Sequence, residues 1–289
     1  MSASLAVVGT GQLGRRHLEA LARLSGPARV WAWDPFPAAL GEARKAWDAA
    51  APGPGLSADF SGRFPEKLDA VIVATDAASR EAAVGKLLDA SAVRFLVLEK
   101  VLFQEASALD RVGARLAKAG TKAWVNCPRR MWPLYKDRRV KGPLSLKVTG
   151  AGWGLATNAV HYLDLAAHLT GFSGFSVDLS GLTKEAESKR PGFVEFFGTL
   201  RASGGGHSVS LSCEDGPKAS RVEINGEAVD EKGSPLQSRL TKELVEDLLA
   251  KGTCGLATYA ESSAVHRPYL EALAARWSAA GREGACPVT

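Results

Sequence analysis

The chain has 289 residues, 46% of them apolar and 23% charged, which excludes a disordered or collagen-like polymer and allows one large domain or two ordinary ones. Its formal charge of +5 leaves open a nucleic acid, a membrane surface, a small anionic ligand, or solubility alone. In chain order, Ser4–Val8 predicts a buried strand, followed by Gly9-Thr10-Gly11 and an amphipathic helix over Leu13–Leu24. Ala28–Trp33 predicts a strand, Pro37–Trp47 a helix and Ala51–Gly62 a loop. Then come a strand at Ala70–Ala74, a helix at Ala78–Leu88, a strand at Phe95–Leu98 and a helix at Ala106–Ala119. Short apolar strands alternating with helices predict a parallel sheet with crossover helices.

The pattern changes near residue 122. Lys122–Cys127 is strand-like and Ala156–Leu169 helical. Strands are predicted at Gly174–Lys184, Phe193–Arg201, His207–Cys213 and Ser220–Asp230, with hairpin turns at Gly204-Gly205-Gly206 and Asn225-Gly226. Two helices, Pro235–Ala250 and Ser262–Ala280, complete the expected order. The expected fold class is α/β: an N-terminal Rossmann dinucleotide-binding domain over 1–121 and a C-terminal α+β domain with a mainly antiparallel sheet over 122–289.

Compartment follows by exclusion. Met1–Leu5 has no basic segment, Leu5–Val8 is too short for a signal sequence, and no run approaches the ~20 apolar residues of a membrane span. Cys127, Cys213, Cys254 and Cys286 lie far apart with no CxxC, against a zinc site or disulfide framework; a reduced cytoplasm and no bound metal are expected.

The sharpest motif is Gly9-Thr10-Gly11-Gln12-Leu13-Gly14, a GxGxxG directly after a strand and opening a helix. The glycines permit a tight turn, close approach of a pyrophosphate, and helix–strand packing, while the helix N-terminus offers N–H donors. Asp34 ends the next strand about twenty residues on. A carboxylate there accepts from the adenosine ribose and repels a 2′-phosphate, so NAD is expected over NADP. The plainer alternative is a βα turn without a nucleotide.

Glu99-Lys100 follows the strand Phe95–Leu98, at the strand end that lines the ligand crevice of such sheets. Lys100 there polarises a substrate oxygen or is a surface salt-bridging residue; position alone favours neither. On the helix Ala156–Leu169, Asn158, His161, Asp164 and His168 share a face. A carboxylate one turn from a His suits acid–base work. The alternative is a buried structural polar cluster. HxxD matches no strong metal signature.

Taken together, these motifs resemble the Gfo/Idh/MocA oxidoreductases, nearly end to end. The opening glycine motif with Arg16-His17 is similar to that family's, as are Ala74-Thr75-Asp76, the turn that lies against the cofactor, and Glu99-Lys100, which resembles its Glu-Lys-Pro. Arg129/Arg130 with Trp132-Pro133 resembles its Arg-Phe-x-Pro, and His161-Tyr162-Leu163-Asp164 its His-x-x-Asp, whose His exchanges the substrate proton. The chain departs from the family at Val101 in place of Pro, and at Thr157 in place of an Asp four residues before the His. Arg80 lies near the place of an absent His, and the chain is short.

The resemblance implies an NAD-dependent enzyme moving a hydride between nicotinamide and a carbinol or ketone carbon of a sugar or sugar derivative. An anionic one is expected, a nucleotide sugar or sugar acid, with surface-polysaccharide synthesis as a weaker implication. His161 is then the acid–base, Lys100 polarises the reacting oxygen, Asn158 hydrogen-bonds it, and Asp164 orients the helix or the His. Gly9–Gly14, Asp34, Ala74, Thr75, Asp76, Glu99 and Lys100 are the expected cofactor contacts. Asn126, Arg129, Arg130, Trp153, Thr157 and His266 are the expected substrate contacts. The dense basic run Arg129–Lys141 suits a carboxylate or phosphate; the alternative is a solvated basic surface, the expected state of Arg138, Arg139 and Lys141. A lyase or glycosidase with transient NAD redox, or a non-catalytic NAD- or sugar-binding protein, are the alternatives. A homodimer or higher oligomer is expected, and neither nucleic acid nor membrane as partner.

Overall fold

The computed structural model describes residues 2–235 and 237–289. The chain begins β1 (Ala3–Val8), α1 (Gln12–Leu21), β2 (Ala28–Trp33), α2 (Pro37–Ala49), β3 (Leu56–Asp59), β4 (Lys67–Val73) and α3 (Arg80–Ala90). It continues β5 (Ala92–Leu98), α4 (Ser107–Ala119), β6 (Lys122–Val125), β7 (Ser145–Ala151) and α5 (Leu155–Thr170). Then follow β8 (Ser176–Asp178), β9 (Leu182–Glu187), β10 (Val194–Gly204), β11 (His207–Cys213), β12 (Ala219–Ile224) and β13 (Glu227–Val229). It closes with α6 (Thr241–Lys251), β14 (Ala257–Thr258) and α7 (Tyr259–Ala279).

Two compact units share these elements. One is Met1–Glu99 with Asp110–Pro128 and Pro235–Tyr259; the other is Lys100–Leu109 with Arg129–Ser234 and Ala260–Thr289. The division differs from the single break expected at residue 122. Lys122–Val125 pairs in parallel with β5, and the chain supplies a further helix and strand to the first unit after residue 235.

In the first unit the strand order is β14-β6-β5-β4-β1-β2-β3, parallel throughout except for the terminal β14. Leu5, Ala6, Val7 and Val8 are all almost fully buried, as continuous apolar runs in a covered parallel sheet must be. The order reverses between β1 and β4, so the strand ends beside that point form the ligand crevice of a doubly wound sheet. One expectation is corrected here. Leu56–Asp59, expected as loop, is an edge strand paired with β2; four half-exposed residues carry little apolar pattern, and backbone pairing makes the strand.

In the second unit the order is β13-β12-β7-β11-β10-β8, with β9 also on β10; only β7 and β11 pair in parallel. Alternation builds its core: Val209, Leu211 and Cys213 are buried while Ser208, Ser210 and Ser212 between them are more exposed. The apolar side of α5 packs on β10 and β11. Gly205-Gly206 and Asn225-Gly226 turn their hairpins with positive φ at both residues (58° and 80°, 52° and 83°), the geometry two-residue hairpins favour. Several elements differ from expectation. Gly174–Lys184 is broken into β8 and β9, and between them the Thr199 N–H donates to the Gly181 carbonyl at 2.8 Å. Ser145–Ala151 is a further strand, its alternate Leu146 and Val148 buried. The helix expected from Pro235 begins at Thr241 after a 3-10 turn at Gln237–Leu240, with Leu236 outside the described residues, and α7 begins at Tyr259.

Candidate functional site

The glycine turn of the first unit is shaped by contact. Gly9 has φ +86°, and a Cβ there would lie 2.7 Å from the Thr75 nitrogen. At Gly14 a Cβ would lie 1.9 Å from the Gly9 carbonyl oxygen, so α1 packs against the turn only because that residue is glycine. Gly11 is different: a Cβ would meet nothing within 4 Å. It stands at the N-cap of α1, with no side-chain cap and no acidic residue in the first turn. The exposed Gly11 and Gln12 and half-buried Leu13 therefore present N–H groups and the positive end of a helix to a space an anion fits. The Thr10 N–H (2.7 Å) and hydroxyl (3.2 Å) donate to Asp34 Oδ2, and the Phe36 N–H donates to Oδ1 at 3.0 Å. The carboxylate is thus held at the end of β2 with acceptor capacity left on Oδ1 for a ribose hydroxyl. These residues fit a dinucleotide.

Ala74, Thr75 and Asp76 follow β4, the strand beside β1. Thr75 Oγ1 is buried with no hydrogen-bond partner among the described residues, and the Thr75 carbonyl accepts from the buried Arg80 guanidinium. Asp76 acts locally, its Oδ1 accepting from the Ser79 N–H at 2.8 Å, where α3 starts. Glu99, expected on the cofactor, is instead in a buried network. Asn126 Nδ2 donates to Glu99 Oε1 at 2.6 Å, and His17 bridges Glu99 (Nε2, 3.0 Å) and the Thr241 hydroxyl (Nδ1, 2.7 Å). Glu99 and Asn126 are 1% and 5% exposed.

In the second unit α5 carries the expected acid–base residue. His161 is 7% exposed, and its Nδ1 is sealed from water with no hydrogen-bond partner among the described residues. Burial pushes the imidazole pKa well below its usual value, and the charges of Lys100, Arg129 and His266 push the same way, so the ring is neutral. Lys100 is half-buried, in a cis peptide with Val101, and its Nζ donates to the Thr157 carbonyl at 3.1 Å. Thr157 also donates its N–H and hydroxyl to Glu195 Oε1, both at 2.8 Å.

Several expected roles change. Asp164 does not pair with His161: Arg130 donates to both of its oxygens, at 2.9 and 2.8 Å, in a bidentate pair with Asp164 1% exposed. Arg129 pairs with Glu231, donates to the Tyr162 hydroxyl at 2.8 Å, and stacks 4.1 Å over the Tyr162 ring. Tyr135 donates to the same Glu231 at 2.8 Å. Both arginines expected to hold an anionic substrate thus carry carboxylates of the protein itself. Asn158 Nδ2 donates to the Trp153 and Gly154 carbonyls (2.7 and 3.1 Å), leaving its Oδ1 as an acceptor. Trp153 is buried, its Nε1 donating to Ser212 at 3.1 Å, its ring edge-on to Tyr162. His266 is fully buried and donates from Nδ1 to the Ser262 carbonyl at 2.9 Å. His168, on the expected polar face, has its Nε2 3.1 Å from the Tyr135 carbonyl oxygen and 3.0 Å from Arg139 Nη1.

Sequence reasoning missed Glu195, Glu231, Tyr135 and Tyr162. For Glu195 and Glu231 the spacing holds no signal, since their partners lie 38 and 102 positions away. Tyr162 sits within the His-x-x-Asp run, and Tyr135 one turn beyond Trp132.

No family model matches the chain, and no curated protein does. Solved structures do match. An oxidoreductase from Agrobacterium radiobacter in complex with NAD+, L-tartaric acid and magnesium has a TM-score of 0.69 at 15% identity, with 99% of each chain covered. UDP-N-acetylglucosamine 3-dehydrogenase GnnA from Acidithiobacillus ferrooxidans has a TM-score of 0.66 at 16% identity, covering 94% of this chain and 97% of that one. A Gfo/Idh/MocA family oxidoreductase from Vibrio cholerae has 0.64 at 15%, covering 97% and 99%. The fold is that of the Gfo/Idh/MocA oxidoreductases. Among the described residues no group of three or more His, Cys, Asp or Glu is placed to hold a metal ion, and no helix is long and apolar enough to cross a membrane.

Proposed function

We propose that this protein is an NAD-dependent oxidoreductase acting on a secondary hydroxyl, or the matching ketone, of a sugar or sugar derivative. His161 carries the proposal: a buried, neutral imidazole whose Nδ1 has no partner among the described residues, on a helix beside a Lys. The open glycine turn with Asp34 supports the cofactor, and the names of fold neighbours, a sugar-nucleotide dehydrogenase and an NAD+ complex among them, support the reaction class.

Gly11–Leu13 would hold the pyrophosphate and Asp34 the ribose. The bound nicotinamide supplies the hydride donor or acceptor. His161 takes the hydroxyl proton on its imidazole in the oxidative direction and returns it in the reductive one; a ring that burial keeps neutral suits the first role without a prior deprotonation. Lys100 would steady the oxygen as negative charge builds on it. Asn158 Oδ1 would accept from a neighbouring hydroxyl of a polyol.

For the substrate's own charge, the pairing of Arg129 with Glu231 and Arg130 with Asp164 favours neutral sugars over sugar acids, since an anion would have to displace a matched carboxylate. Absorbance at 340 nm with free sugars, sugar acids and nucleotide sugars tests both points. NADH formation with a hydroxylated substrate supports the proposal. No turnover with any of them, from protein that binds NAD, favours the non-catalytic alternative. Persistent bound NAD with product but no net NADH favours transient redox.

A further inference from the structure

Helix α5 lacks a cap of its own. Gly154 stands at its N-cap in a left-handed conformation, no side chain there bonds the first turn, and that turn holds no acidic residue. The missing acceptor comes from the sheet. Glu195, on β10, takes the Thr157 N–H and hydroxyl on Oε1, while its Oε2 is buried without a hydrogen-bond partner among the described residues. A Cβ at Gly154 would stand 3.3 Å from that Oε2, so the glycine makes room for the carboxylate. On the other side of the same residue, Lys100 Nζ donates to the Thr157 carbonyl. An anion and a cation thus grip one residue, and His161 lies one turn further along the same face.

We propose that Glu195 is a positioning residue: from β10 its carboxylate fixes the first turn of α5 and holds the Lys100 ammonium against it, setting where His161 and Lys100 meet a substrate. This rests on the proposed reaction in naming His161 and Lys100 as the groups that need placing. Burial raises the Glu195 pKa, while the Thr157 and Ala156 donors and the Lys100 charge pull it back toward the ionised form. Tyr269 and Cys213 are the other titratable groups that its charge reaches.

Glu195→Gln separates a cap from a charge, because the amide keeps the size and one oxygen acceptor but loses the anion. A cap alone predicts nearly full activity. The proposal predicts a kcat loss of about tenfold or more, with KM and NAD affinity unchanged. Glu195→Asp, which keeps the charge but draws it back by one methylene, loses less and serves if the Gln variant does not fold.

A second arm needs no turnover. In protein carrying 13C at the Glu carboxyls, the Glu195 signal is assigned by its absence in either variant, then titrated in wild type and in Lys100→Met. Loss of the cation raises the Glu195 pKa. If wild type proves inactive yet this shift is found, the proposed reaction falls and the Glu195–Lys100 link stands. A Glu195 titration indifferent to Lys100→Met, or full kcat in folded Glu195→Gln, overturns the inference.

Discussion

Acidification destabilises this protein through His161. Its folded pKa lies well below the ordinary 6.5 of a histidine, because burial and the charges of Lys100 and Arg129 oppose protonation. Below pH 6.5 the unfolded chain therefore binds a proton that the folded chain refuses. Stability from this group is complete above about pH 6.5 and declines as the pH falls toward the folded pKa, by at most about 1.4 kcal/mol per unit. Between about pH 6.5 and 5.0 that slope bounds the loss at about 2 kcal/mol, or roughly 4–8 °C in Tm for a cooperative unit of this size. Thermal unfolding followed by circular dichroism between about pH 7.5 and 5.0 measures it. Other groups titrate in the same window, His168 and Asp164 among them, so the test is the difference between wild type and His161→Gln. The wild-type curve falls more steeply on the acid side. Parallel curves would refute a buried, neutral His161.

Three further outcomes follow from the geometry. Gly14→Ala puts a Cβ 1.9 Å from the Gly9 carbonyl oxygen, which forces α1 off the turn; isothermal titration should show NAD affinity falling by about tenfold or more with the fold retained. Asp34→Asn removes the charge that opposes a 2′-phosphate, so the NADP to NAD affinity ratio rises by about tenfold in the same assay. Trp153→Phe leaves the Ser212 carbonyl without its donor and costs about 1–3 kcal/mol in urea unfolding, with little change in substrate affinity.

The first unit was largely legible in the sequence because its signals are local: contiguous apolar strands, a glycine motif between strand and helix, and Asp34 at the next strand end. β3 escaped because an edge strand of four half-exposed residues is made by its neighbour β2. β7 was overlooked despite its alternation, Leu146 and Val148 against Ser145 and Lys147. At the site, His161 and Lys100 could be named from motif and position. What those residues touch could not. Spacing alone offers Asp164 to His161 from three residues away, yet Arg130, 34 positions distant, holds both its oxygens. The basic run at Arg129–Arg130 reads as open to an anion for the same reason: the carboxylates that match it arrive through the fold. Glu195 lies in an ordinary strand, and only the packing of α5 on β10 gives it a role.

Hydride transfer with proton exchange at His161 is tested most directly by single-turnover absorbance at 340 nm, on a substrate found in the sugar panel, with wild type and His161→Asn at equal NAD occupancy. The account predicts a rate at least ~10²-fold lower in the variant, with NAD affinity unchanged. Equal rates in the two proteins would contradict it.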